Sequence, residues 1–498
     1  MPCSAAMTGD PRRDGAGVVA PRSLGAATAS ALVFTTSAAV LVLEILAGRL
    51  LAPYVGVSLE TYTGIIGTVL AGIAIGSAFG GRLADRVDPH RLLGPTIVAG
   101  GALALASTPL VTALGPRVAG GGPPAIVLLA LTAFVLPTAV LSAVSPMVAK
   151  LQLSSTAETG SVVGGLSAAG TAGALVGTFV TGFVLVAALP TRPIVLGLGV
   201  ALVLLGAVLW LRHGGGRPGV AVLVGVLAVA GLAATSTSPC QRETRYYCAT
   251  VEVDPDREGG RILVLDDLRH SYVDLDDPTH LEFRYAGLLG EAIDDLLGST
   301  PVDALHIGGG GFTFPRWLAA TRPGSTSTVL ELDPEVLRLA EEVLALETGP
   351  DLRVRTGDAR TNIVDEPSAA YDLVIGDAFG GLSVPWHLTT TELVAQVART
   401  LRPGGVYLVN AIDGGERGFV RAELVTFAEH FDDIAVIAPP EGTFGNHVLI
   451  GSDAPIQLGP VDPAEGVVVA GDELTELLRG AEVLTDDHAP VDQLLTRR

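Results

Sequence analysis

Four stretches of this 498-residue chain end in residues whose types and spacing could do chemistry. VDALHIG runs into Gly308-Gly309-Gly310-Gly311, and backbone without side chains lets a ligand come close. TVLELD ends in Glu331-Leu332-Asp333, LRVRTGD in Gly357-Asp358, and YDLVIGD in Gly376-Asp377. An ionised carboxylate only accepts hydrogen bonds. Glu331 and Asp333 therefore suit the paired hydroxyls of a ribose, and Asp358 suits an adenine amino group. Any one of these acids could simply cap the helix after it. Three at consecutive strand ends, behind a glycine loop, form a nucleoside-binding constellation.

The elements that must position them alternate regularly. From Glu243 to Asp276, runs such as TRYYCATVEV and RILVLDDLRHSYV read as a small antiparallel β-unit, and a helix is predicted from Leu281 to Leu297. Beyond it, strand patterns interleave with helices at Phe314–Ala320, Pro334–Ala345, Thr390–Leu401 and Glu416–His430. Such interleaving means a parallel sheet covered on both faces, with ligands at the carboxyl ends of its strands. DIAVIA and NHVLIGS lack an intervening helix and predict an antiparallel edge hairpin. The pattern is the class I methyltransferase variant of the Rossmann-like fold. His270 and Tyr272 are placed on the β-unit over the site, and Trp386 and His387 beside the Asp377 loop. No metal-ligand spacing, phosphate-binding Walker loop or nucleophile elbow is present.

The remainder of the chain is of another kind. Apolar residues make up 49% and charged residues 17% of the whole, with mean hydropathy +0.50. Residues 1–235 hold 12 Lys/Arg and 7 Asp/Glu, whereas the remainder holds 19 and 45. An acidic half of this kind speaks against nucleic-acid binding, and the apolar half excludes a purely soluble protein. Seven membrane helices are predicted: Ala26–Leu46, Tyr62–Leu83, Leu92–Leu114, Pro124–Ala149, Val162–Leu189, Ile194–Leu211 and Gly219–Ser236. The predicted organisation is thus a polar tail (1–25), a multi-pass membrane region (26–236), a β-unit (243–280) and a Rossmann-like domain (281–498). Small residues every fourth position (Gly72, Gly76, Gly80; Gly165, Ala169, Gly173, Gly177) predict close helix packing in lipid. Glu44, the one acid within the first run, is either a functional intramembrane carboxylate or an ion-pair partner of Arg49 at the membrane boundary.

Sidedness is read two ways. The loop GGRLADRVDPHR resembles the basic cytoplasmic loop of major-facilitator transporters, and Lys/Arg counts favour a cytoplasmic N-terminus. Seven helices would then put the acidic domain outside the cytoplasm, where Cys240 and Cys248 could bridge. The supply of a cytosolic cofactor argues for the inside.

Residues 243–450 resemble the spermidine synthase (polyamine aminopropyltransferase) family, and the whole chain resembles its membrane-fused branch. The residues that carry the likeness are LVLDDLRHSYVD, HIGGGG, ELDPEVLRLAEEVL, RVRTGDAR and YDLVIGDAF. The resemblance implies transfer of an aminopropyl group from decarboxylated S-adenosylmethionine, a co-substrate and not a tightly bound cofactor, to a small putrescine-like amine. It assigns donor binding to Gly308, Gly309, Gly310, Glu331, Asp333 and Asp358, and catalysis to Asp377. Tyr285 and His270 become substrate-side candidates, with no metal required. Two departures weaken cation recognition: Gly311 and Gly380 stand where the family has Asp, although Asp266, Asp267, Asp274, Asp276 and Asp277 lie upstream. An S-adenosylmethionine-dependent methyltransferase and a non-catalytic nucleoside or polyamine sensor are the alternatives. The lipid bilayer is the expected partner, and homo-oligomerisation is left open.

Overall fold

The computed structural model describes residues 24–153, 159–213, 220–440 and 443–495. Its apolar half forms α1 (Ala26–Val55), α2 (Leu59–Arg86), α3 (Pro89–Val118), α4 (Gly122–Ser142), α5 (Val144–Gln152), α6 (Thr159–Val180), α7 (Val186–Ala188), α8 (Thr191–His213) and α9 (Val220–Thr235). α4 and α5 make one rod, and a π-turn at Thr181–Leu185 joins α6 to α7. Among the described residues, six rods are long and apolar enough to cross a bilayer. The seventh expected span, Gly219–Ser236, corresponds to α9, of which Val220–Thr235 is described, while Gly219 lies outside the described residues.

The small-residue seams meet backbone. A Cβ added at Gly76 would lie 2.0 Å from the Ala139 carbonyl oxygen of α4, and one at Gly173 would lie 2.1 Å from that of Phe34 on α1. Gly165, in contrast, faces open space. These glycines let α2 approach α4 and α6 approach α1, which is how helices associate where apolar burial gives no drive.

The Glu44–Arg49 pair is not formed. Arg49 reaches Glu243 at 3.4 Å and donates to the Arg245 carbonyl at 2.6 Å. The acidic half therefore offers Arg49 a carboxylate and carbonyls together, and the apolar half is pinned to the start of the β-unit. Arg192, on α8, donates to the Ser236 carbonyl just past α9 at 2.6 Å.

In the acidic half, β1 (Arg242–Glu243), β2 (Cys248–Val253), β3 (Gly260–Leu265) and β4 (Leu268–Asp274) form an antiparallel sheet in chain order. Cys240 and Cys248 form a disulfide across it, with Cα atoms 5.1 Å apart. The helix α10 (Arg284–Leu297) leads into β5 (Asp303–Ile307), α11 (Thr313–Thr321), β6 (Thr326–Glu331), α12 (Pro334–Val343), β7 (Leu352–Thr356), α13 (Ala359–Asn362), β8 (Tyr371–Gly376), α14 (Thr391–Thr400), β9 (Leu401–Asp413), α15 (Gly418–Ala428), β10 (Asp433–Ala438), β11 (Gly445–Ser452) and β12 (Val467–Val469). The sheet order is β12-β10-β11-β9-β8-β5-β6-β7, with β5 to β9 parallel and the other three antiparallel.

Its central strands are apolar on both faces because both faces are covered. Leu305, Ile307 and Val374 pack toward α14 and α15, while Ala304, Leu373 and Ile375 pack toward α10 and α11. The fold is the expected class I methyltransferase-like arrangement behind a multi-pass apolar region. The paired strands β10 and β11 do not form the edge: the short run Val467–Val469 adds beyond β10.

Candidate active site

The glycine loop leaves the end of β5 in a shape that side chains could not follow. Gly308 has φ +97°, and a Cβ there would sit 2.5 Å from the Asp377 carbonyl oxygen. This close approach brings the ends of β5 and β8 together, and Asp377 completes it by donating its amide to the Ile307 carbonyl at 2.9 Å.

Glu331 ends β6 beneath the loop. One carboxylate oxygen accepts from the amides of Gly309 (2.8 Å) and Gly310 (3.2 Å), and the other accepts from Asp333 N (2.9 Å). Burial raises its pKa, and these amide donors oppose that rise. Two oxygens offer about four lone-pair sites, so Glu331 keeps capacity for an incoming hydroxyl while it stiffens the loop.

The two neighbouring acids divide differently. Asp333 caps α12 through Glu335 N at 2.9 Å, is 1% exposed and does not wall the cavity. Asp358 also caps, accepting from Arg360 N at 2.8 Å, but its other oxygen faces His387 Nε2 at 3.3 Å on the cavity wall. Sequence alone cannot separate them, because a cap and a ligand acceptor use the same side chain at the same strand end.

Asp377, partly buried, follows the end of β8. Tyr285 Oη donates to Asp377 Oδ2 at 3.1 Å, and Asn410 Nδ2 donates to Oδ1 at 2.9 Å. Asn446 in turn donates to Asn410 Oδ1 at 2.9 Å, so the orientation of the Asn410 amide is fixed. Burial pushes the Asp377 carboxyl up to about 6, against the lowering effect of its two donors. Such a group is ionised at neutral pH and close enough to neutrality to take a proton. Asn410 is a functional residue that sequence reasoning missed; its one signal was a polar side chain inside the apolar strand VYLVNAI.

The β-unit supplies the lid. His270 walls the cavity, and burial lowers its pKa to about 4, so it is neutral at pH 7. Tyr272, expected beside it, instead donates to Asp254 at 2.7 Å away from the cavity. The upstream acids also split: Asp274 pairs with Arg257 and binds the amides of Asp276 and Asp277, whereas Asp266 and Asp267 face the membrane half. The glycine loop, Glu331, Asp358, Asp377, His270, Tyr247 and His387 enclose about 240 Å³.

The comparisons point the same way. The polyamine aminopropyltransferase of Vibrio vulnificus is 31% identical over 157 residues, covering 31% of this chain and 52% of that protein. That of Chromobacterium violaceum is 30% identical over 179 residues, covering 35% and 66%. The acidic half is polyamine-aminopropyltransferase-like. This aminopropyltransferase-like half spans about half to two thirds of the length of those relatives. A probable spermidine synthase from Corynebacterium glutamicum superposes with TM-score 0.46 and 27% identity, covering 51% of this chain and 99% of that one. The eEF1A lysine and N-terminal methyltransferase of Danio rerio is 28% identical over 144 residues, covering 27% and 21%. No family model matches.

Proposed function

We propose that the chain is a membrane-bound aminopropyltransferase that uses decarboxylated S-adenosylmethionine as donor and an amine as acceptor. The observation that carries this reading is Asp377, enclosed at the end of β8 by Tyr285 and Asn410 beside a nucleoside-sized cavity. In this reading the glycine loop and Glu331 hold the donor's ribose, and Asp358 receives its adenine amino group. The acceptor reaches the site as an ammonium ion, which has no lone pair. Asp377 takes its proton, the freed nitrogen attacks the propyl carbon beside the sulfonium, and the C–S bond breaks with its electron pair going to sulfur. Neutral methylthioadenosine leaves. Positioning and deprotonation carry the catalysis, since a sulfonium is already a good leaving group.

The basic residues Arg82, Arg86, Arg91, Lys150 and Arg212 lie at the helix ends away from the Arg49–Glu243 contact. Positive residues favour the cytoplasm, which argues for an extracytoplasmic catalytic half, and the Cys240–Cys248 bridge fits an oxidising compartment. The donor must then be delivered to that side.

A second reading, methyl transfer from S-adenosylmethionine, draws on Gly311. A Cβ there would sit 2.8 Å from Ser271 Cβ, so an acid in that place, where it could hold the donor's aminopropyl ammonium, would crowd the β-unit. Titrating the full-length protein with decarboxylated S-adenosylmethionine, S-adenosylmethionine and methylthioadenosine decides between them. A ligand at 100 times its Kd adds about 2.7 kcal/mol of stability, readable as a melting shift. Selective stabilisation by the decarboxylated donor, followed by amine-dependent methylthioadenosine release, supports the first reading. Stabilisation by S-adenosylmethionine alone supports the second.

A further inference from the structure

The nucleoside-sized cavity is the last of three that share walls. Tyr247, Leu265, His270 and Gly380 line both it and a cavity of about 370 Å³ between the β-unit and the membrane helices. Val57, Tyr246, Tyr247 and Asp266 in turn line both that interface cavity and a third of about 480 Å³. The third lies between α1, α2 and the π-turn with α7 on one side and the start of the β-unit (Glu243 to Cys248, with Asp266) on the other. Tyr247 borders all three, and its hydroxyl donates to the Phe379 carbonyl at 3.3 Å, beside the Asp377 loop.

The far groove opens toward lipid. Tyr62 and Ile66, on its α2 wall, are 50% and 45% exposed, so the groove is open on the outer side of the helices. Its opposite wall is the π-turn, a local widening of a helix that often accompanies function. Gly182 in that turn has nothing within 4 Å of an added Cβ, so the space is unfilled. The route sheds its positive charge toward the site. The groove's membrane-helix wall is mostly apolar around Glu44, but Arg49, Glu243, Arg245 and Asp266 also line it, whereas the interface cavity has Glu60, Asp266 and Asp267 and no Lys or Arg on its lining. At the site itself, Gly311 and Gly380 present no side chain that could pair with a second ammonium.

We propose that the acceptor is an amine carried on an apolar tail, entering from the bilayer. Its tail lies in the groove between α2 and the π-turn, and its cationic head passes the interface carboxylates and Tyr247 to reach Asp377. This rests on the aminopropyl-transfer reading. The nitrogen of the lipid-borne amine forms the C–N bond, methylthioadenosine leaves with the sulfur electron pair, and the amine's proton goes to Asp377.

The test uses the full-length protein in phosphatidylcholine vesicles and two probes that differ in tail alone, N-methyl- and N-dodecyl-1,3-propanediamine. Methylthioadenosine release should favour the dodecyl amine by about tenfold or more in kcat/KM, since each buried methylene strengthens binding. Gly182→Phe, which fills the groove, should bring that ratio close to one. A diazirine-tailed dodecyl amine gives a readout independent of turnover: photolabelling should concentrate on Tyr62, Ile66 and Val186 and vanish in Gly182→Phe. Labelling spread evenly over lipid-facing residues, or a ratio unchanged by Gly182→Phe, overturns the groove. Concentrated labelling with no methylthioadenosine from either amine keeps the groove as a binding site and removes aminopropyl transfer. Good turnover of the short amine with no groove labelling does the reverse.

Discussion

Tyr285, on the first turn of α10, donates its hydroxyl to Asp377 at the end of β8, 92 residues away, across 3.1 Å. The bond stabilises the charged carboxylate, while burial favours the neutral acid and wins, leaving Asp377 at about 6. The rate should therefore fall as pH drops through about 6, because the protonated acid cannot accept the amine's proton. The pH profile of kcat/KM checks this; an acid limb near 4 would show that burial does not govern the group.

Replacing Tyr285 by Phe removes the donor and keeps the ring. Asp377 loses a hydrogen bond that favours its charge, so its pKa rises further and the acid limb moves upward. A loss of activity at pH 6 larger than the loss at pH 8 is the expected pattern. A uniform loss across pH would mean that Tyr285 packs against substrate and leaves Asp377 untouched.

Stability should respond to Asp377 with the opposite sign to activity. The folded form holds the proton up to about pH 6, whereas an unfolded Asp releases it near 4. Across that interval rising pH costs native stability, by up to about 3 kcal/mol in the limit of two full pKa units. Asp377→Asn keeps the shape, carries no charge, and can still meet both Tyr285 and Asn410. Its melting temperature at pH 8 should equal or exceed that of the wild type, while turnover falls by about a hundredfold or more. A melting temperature lowered by many degrees would contradict the buried-charge account.

Much of this site was legible in the sequence because strand ends follow from pattern: an apolar run, then glycine or acid, locates Gly308, Glu331, Asp358 and Asp377 without coordinates. What pattern could not supply was partnership across the chain. Arg49 and Glu243 are 194 residues apart, and only the docked arrangement of the two halves makes them neighbours instead of Arg49 and Glu44. Asn410 and Asn446 were invisible for the same reason, as their roles exist only once β9 and β11 are paired. Asp333 illustrates the converse. Its spacing after Glu331 is right for a ribose, but the turn into α12 directs it to a helix cap.

Glu331 accepts three amide bonds, two of which tie the glycine loop to β6. In Glu331→Gln one end of the side chain becomes an NH₂ that must face an N–H donor, so at least one bond is lost. Methylthioadenosine affinity should weaken by about tenfold or more, the scale of a hydrogen bond to a charged group. Isothermal titration measures it, and an unchanged Kd would place the ribose elsewhere.

The two family departures should respond unequally when an acid is restored. At Gly311 an added Cβ meets Ser271 Cβ at 2.8 Å and Val273 Cγ2 at 3.0 Å, so the β-unit has closed over the place an Asp would need. Gly311→Asp should cost about 1–3 kcal/mol, as overpacking does, and lower the melting temperature with no gain in diamine use. At Gly380 the nearest atom to an added Cβ is 4.0 Å away, and the residue walls both the interface cavity and the nucleoside-sized one. Gly380→Asp should fold normally and lower the KM for putrescine, because it gives the second ammonium a carboxylate close to the site. If KM is unchanged in a folded Gly380→Asp variant, the acceptor's second charge does not pass Gly380, and a tail in place of a second amine becomes the better description of the substrate.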